Sequence, residues 1–87
     1  MDPKKLFDAI PLTTDPKVGD FIAAANWSRP RLVLAVDKNQ DGTIVSVAEP
    51  DSSRADEHGV RRMEAEEFAS RTWRYYPYLT QLWALQG

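Results

Sequence analysis

The run Asp37-Lys38-Asn39-Gln40-Asp41-Gly42-Thr43-Ile44 places side-chain oxygens on alternate residues just ahead of a glycine. Binding of a hard divalent cation such as calcium uses that spacing: oxygen ligands at loop positions 1, 3 and 5, a glycine at 6, and a bidentate glutamate at 12 that closes the coordination sphere. Counted from Asp37, the early positions are filled by Asp37, Asn39, Asp41 and Gly42, but the last falls on Ala48. Glu49 comes one residue late and is followed by Pro50. The same residues suit a β-hairpin turn, where Asn, Asp and Gly tolerate backbone conformations that other residues avoid.

The flanks decide between the two. An EF-hand needs a helix on each side of the loop, whereas Arg31–Val36 is a short apolar run and Thr43–Ala48 is rich in β-branched residues, both strand-like. In a strand, a one-residue offset also turns a side chain to the opposite face. A hairpin turn without a metal is therefore expected, with Asp37, Asn39 and Asp41 as a weak calcium-binding alternative.

Other reactive groups are sparse. The chain has no cysteine, which excludes disulfides, thiolate metal sites and cysteine nucleophiles. Its single histidine, His58, sits in the polar run Asp56-Glu57-His58-Gly59 with no nucleophile motif beside it, and reads as a solvated loop residue. Glu64, Glu66 and Glu67 read as a solvated helix face, and the four glycines form no phosphate loop. Neither catalysis nor a cofactor is expected.

Arginine beside aromatic residues is the richer pattern. Trp27, Arg29 and Arg31 cluster in one stretch, Arg61 and Arg62 in another, and Arg71, Trp73, Arg74, Tyr75, Tyr76 and Tyr78 in a third. Trp, Tyr and Arg are the residues enriched at protein-binding hot spots, and they also stack on bases and neutralise phosphates. The plainer use is internal, with Trp73, Tyr75 and Trp83 in the core and arginines paired with the many carboxylates. In a strand, Trp73 and Tyr75 share one face and Arg74 and Tyr76 the other.

Several elements must position these groups. Asp2-Pro3 starts a short N-terminal helix that ends before Pro11, and residues 11–16 form a connector. Strands are expected from about Phe21 to Ala25, over Arg31–Val36 and Thr43–Ala48, over Val60–Met63 and over Thr72–Tyr76. A helical turn is expected near 64–70. Tyr78–Leu85 suits a short C-terminal helix or a strand equally. Glu49–Gly59 has no hydrophobic period and is expected to be a mobile loop. At 87 residues, the expectation is one mainly β domain spanning 1–87.

Val18-Gly19-Asp20-Phe21-Ile22, then Leu32–Asp37, a turn, and Thr43–Val47 resemble the opening three strands of SH3-like and KOW-type barrels. Glu66-Glu67-Phe68 is similar to the helical turn that often precedes the last strand of such barrels. The resemblance covers residues 17–76 and implies a small barrel of about five short strands; it specifies no function.

The resulting expectation is a non-catalytic binding module. It would dock a protein partner, or a second copy of itself, through Trp27, Arg29, Arg74, Tyr76, Tyr78 and Trp83. The rival is a nucleic-acid-binding barrel using Arg29, Arg31, Arg61, Arg62, Arg71 and Arg74, although the net charge of −2 runs against it. A third expectation is an enzyme accessory subunit or inhibitor, such as the small proteins carried by phages or mobile elements. The charged start of the chain has no signal-like apolar run, and no segment is long and apolar enough to span a bilayer, so a cytoplasmic protein without membrane contact is expected.

Overall fold

The computed structural model of the protein describes residues 11–86. The helix expected over Asp2–Ile10 lies outside the described residues. The elements are β1 (Leu12–Thr13), β2 (Phe21–Ala24), β3 (Arg31–Asn39), β4 (Gly42–Ala48), β5 (Val60–Met63), α1 (Ala65–Ala69), β6 (Trp73–Tyr75) and α2 (Pro77–Gln86). All strand pairs are antiparallel, in a six-stranded sheet of order β1-β6-β2-β3-β4-β5.

β3 is long enough to serve both halves of the sheet. Its start pairs with β2, and from Val33 onward it pairs with β4, with a register shift between Val33 and Ala35. The shift is a bulge, and bulges bend a strand and interrupt its alternation. Leu34 and Ala35 are consequently both exposed, although Val33 before them is buried. The inward residues Ile22, Ala24, Val33, Val45, Val47, Met63, Phe68 and Trp73 make the core. Phe68 reaches it from α1 and stacks on Trp73, with ring centroids 5.3 Å apart. The Trp73 indole N–H, which would be costly to bury unpaired, donates to the Phe68 carbonyl at 2.9 Å.

The sheet does not close as a barrel. β1 and β5 remain its two edges, and an opening of about 600 Å³ beside β1 is lined by Leu12, Gly42, Ala65, Phe68 and Trp73. β1 is a sixth strand within the expected connector. It is too short to show an alternating pattern, and it is recruited by β6, whose Tyr75 N–H donates to the Pro11 carbonyl at 2.8 Å.

The other edge is capped by the loop before it. The Asp56 carboxylate accepts the Val60 N–H at 2.9 Å and the His58 N–H at 2.8 Å, while the Asp56 N–H donates to the Val60 carbonyl. Asp51 makes a similar turn with Ser53. The segment expected to be a mobile loop is thus laced by short-range hydrogen bonds that an aperiodic, polar sequence does not advertise.

Asp37-Lys38-Asn39 belongs to β3, and Asn39 pairs directly with Gly42. The reversal takes only Gln40 and Asp41, with the Asp41 N–H donating to the Asn39 side-chain oxygen at 2.9 Å. Gly42 supplies the positive φ, +127°, and a Cβ there would lie 3.0 Å from that of Ala65 in α1. Both conformation and space therefore select glycine.

Candidate protein-docking surface

The aromatic and arginine residues divide into two regions. In the first, Trp27 stands edge-on to Trp73 with centroids 5.0 Å apart. The Arg31 guanidinium lies over the Trp27 ring at 4.1 Å, and that of Arg61 at 5.9 Å. Arg31 also donates to the fully buried side chain of Glu49 at 2.5 Å, and Arg61 donates to Glu67 at 2.6 Å. Arg61 approaches Glu49 at 3.9 Å and Arg71 approaches Glu67 at 3.7 Å, so positive and negative groups alternate along the row. The second Glu49 oxygen accepts the Asp51 N–H at 3.0 Å. Burying a carboxylate is costly unless it is paired and hydrogen-bonded, and both oxygens of Glu49 meet that condition. Local pairing places it there: Glu49 follows β4 at the point where β3 begins and β5 is approached, between Arg31 and Arg61.

The second region is built by α2. Pro77 is the first residue of this helix, where its missing N–H costs nothing. The Thr80 hydroxyl accepts the Phe21 N–H at 3.0 Å and donates to the Tyr76 carbonyl at 3.2 Å, which ties the helix to the start of β2. Trp83 meets Phe21 edge-on at a centroid distance of 6.2 Å. Between α2 and the sheet lies a groove of about 430 Å³ lined by Phe21, Arg29, Leu32 and Trp83, and also by Arg31 and Glu49, through which it adjoins the charged row. Beyond it the helix exposes Tyr78 (71%), Leu82 (38%), Trp83 (49%) and Leu85 (84%).

The six expected docking residues therefore do not form one patch. Arg29 and Trp83 line the groove together, and Tyr78 lies on the exposed part of the same helix. Trp27 is half-buried in the charged row. Arg74 is half-buried in β6, and Tyr76 falls just past the end of that strand. Phe21, Leu32 and Thr80 are residues of this region that sequence reasoning missed. The signal available was Tyr78-Leu82-Leu85 at helical spacing; nothing local marked Thr80 as a tie to a strand far away in the chain.

Of the arginines considered for nucleic acid, Arg31, Arg61 and Arg71 belong to the charged row, and Arg62 lies 2.9 Å from Glu64. Arg29 is exposed and lines the groove beside Trp83. Among the described residues, no group of three or more His, Cys, Asp or Glu is arranged to hold a metal ion, and no helix is long and apolar enough to cross a membrane.

Among the exposed carboxyls, Asp56 is held below its ordinary value of 3.8 by the N–H groups of Val60 and His58. Asp51 is lowered mainly by the Ser53 hydroxyl and then by its N–H, and Asp15 by hydrogen bonding and attraction to Lys38. Each shift reflects a local turn or a surface pair.

No family model, curated protein or solved structure matches the chain.

Proposed function

We propose that this chain is a non-catalytic protein-docking module whose contact surface is the groove between β2, β3 and α2 together with the exposed part of α2. The observation that carries the reading is that Arg29 and Trp83, distant in sequence, line one groove with Phe21, Pro30 and Leu32. An aromatic anchor, an exposed arginine and an apolar floor are the ingredients of a binding hot spot. The strand order β6-β2-β3-β4-β5, with α1 leading into β6, supports an SH3-like arrangement in which β1 is an addition. That arrangement carries no function of its own.

The nucleic-acid reading draws less support, because Arg31, Arg61, Arg62 and Arg71 already lie within ion-pair distance of glutamates. A photo-reactive residue in place of Trp83, compared with one in place of Arg62, tests docking in living host cells. Cross-linking to a defined protein at Trp83 alone, reduced by Arg29→Glu, is expected. Equal cross-linking at both positions, or a mobility shift of DNA or RNA lost in Arg29→Glu, would remove the proposal.

A further inference from the structure

Among the described residues, the groove between α2 and the sheet is lined by three charged side chains, and two of them are spent on each other. Glu49 is fully buried and accepts from Arg31, so neither offers its charge to a ligand. Arg29 is different. It is exposed, and among the described residues no carboxylate lies within ion-pair distance of it, although Arg31, Arg54, Arg61, Arg62 and Arg71 each have one. Helix α2, which lines the groove through Trp83, contributes no acid. The groove thus presents one uncompensated positive charge beside the apolar surface of Phe21, Leu32 and Trp83.

We infer that this groove takes a short acidic segment of a partner protein, in which an Asp or Glu sits next to a large apolar side chain. The inference rests on the docking reading and names the chemistry of the partner. The carboxylate pairs with the Arg29 guanidinium, whose planar fork matches two carboxylate oxygens. The apolar side chain lies against Phe21, Leu32 and Trp83 as the anchor of the contact. A basic segment would meet Arg29 as a like charge, and an uncharged one would desolvate it without a counter-charge.

The balance of charge selects carboxylate over phosphate. A phosphorylated side chain brings a charge of about −1.5 to −2, and the groove has only the Arg29 guanidinium to meet it, because Arg31 is held by Glu49. Pro30 adds pre-organisation. It restricts the backbone of the preceding Arg29 to extended conformations, so less freedom is lost when the ion pair forms. The site is small, and the net charge of −2 gives an acidic partner no long-range attraction. A reversible contact with a Kd on the order of 100 µM is expected.

The test is a selection of displayed random peptides of about seven residues, captured on the full chain and, in parallel, on Arg29→Glu. Peptides enriched on the wild type should carry Asp or Glu next to Trp, Phe or Leu, and Arg29→Glu should select basic peptides instead. Made singly, the acidic peptides should shift the Trp83 indole NMR signal. They should bind Arg29→Glu about tenfold or more weakly, and Arg29→Lys should lose less. Both variants should keep the wild-type melting curve, since Arg29 is exposed. Enriched peptides without an acid, or acidic ones indifferent to Arg29→Glu, would overturn the inference; if they still shift Trp83, docking in the groove stands. Tighter binding when phosphoserine replaces the acid would overturn it too, and would assign the groove to phosphate. If no peptide is enriched, the inference fails, and docking stands only if the photo-reactive residue at Trp83 still joins a protein in host cells.

Discussion

Trp27 and Trp83 each have an arginine nearby, and their surroundings could hardly differ more. Around Trp27, Arg31 and Arg61 are drawn between the ring and two glutamates, so the charges are satisfied within the chain. Around Trp83 the helix has no charge of its own, and the exposed Arg29 lines the same open groove. An aromatic with arginine is therefore not one signal. A carboxylate that pairs with the arginine turns it inward, as Glu49 does for Arg31, whereas Arg29 stays exposed on a groove that Arg31 and Glu49 also line.

The largest expected effect is on the Trp27 side. Glu49→Ala should destabilise the protein by about 3–5 kcal/mol, since it leaves Arg31 partly buried without its counter-charge. Chemical denaturation measures this directly. The double variant Arg31→Met/Glu49→Leu should recover most of the loss, because removing both charges removes the desolvation cost too. If the double variant is as unstable as the single one, the row matters for packing and not for charge.

A smaller effect is expected where α2 meets the sheet. Thr80→Val keeps the shape of the side chain but strips the Phe21 N–H of its acceptor, at a cost of about 1–3 kcal/mol. Faster hydrogen exchange at Phe21 should accompany the loss. An unchanged exchange rate would mean that the Trp83–Phe21 contact alone holds the helix. Gly42→Ala should cost a similar amount, about 1–3 kcal/mol, from backbone strain together with the close approach to Ala65.

Acid acts on a third place. The folded Asp56 carboxyl titrates below its ordinary value of 3.8, so its stabilising contribution is present above that value and is lost as pH falls through the lower, folded one. Amide exchange of Val60 and His58 should accelerate in that window and not in Asp56→Asn, whose amide cannot make the same charge-assisted bonds. The smallest effect on stability belongs to Leu85→Asp, within about 0.5 kcal/mol, because the side chain is already in water. A strong destabilisation there would show that the exposed helix is part of the fold and not a contact surface.

Much of the fold was legible in the sequence. The β-branched runs located β3 and β4, the alternation around Trp73 located β6, and the strand over Val60–Met63 was placed to the residue. The missing glutamate at Ala48 and the strand-like flanks identified a turn, and Asn39 paired with Gly42 is that turn. β1 was not legible, because two residues carry no period and only the free side of β6 made them a strand. Nor was the open edge, since barrel closure depends on how far a bent sheet carries its last strands. At the candidate surface, Tyr78 and Trp83 were readable as aromatic excess, but the groove that joins Trp83 to Arg29 was not.

By itself the sequence determined where strands β2 to β6 and the hairpin turn lie, because side-chain branching, alternation and glycine act over neighbouring residues. It also determined that the last segment would carry no charge. Only the tertiary structure decided which arginines meet carboxylates and which aromatic faces water. Glu49, one residue too late to close a calcium loop, lies between Arg31 and Arg61 because the pairing of β4 with both β3 and β5 puts it there. Ion pairing and burial depend on distances between strands far apart in the chain, and those distances exist only once the sheet has formed.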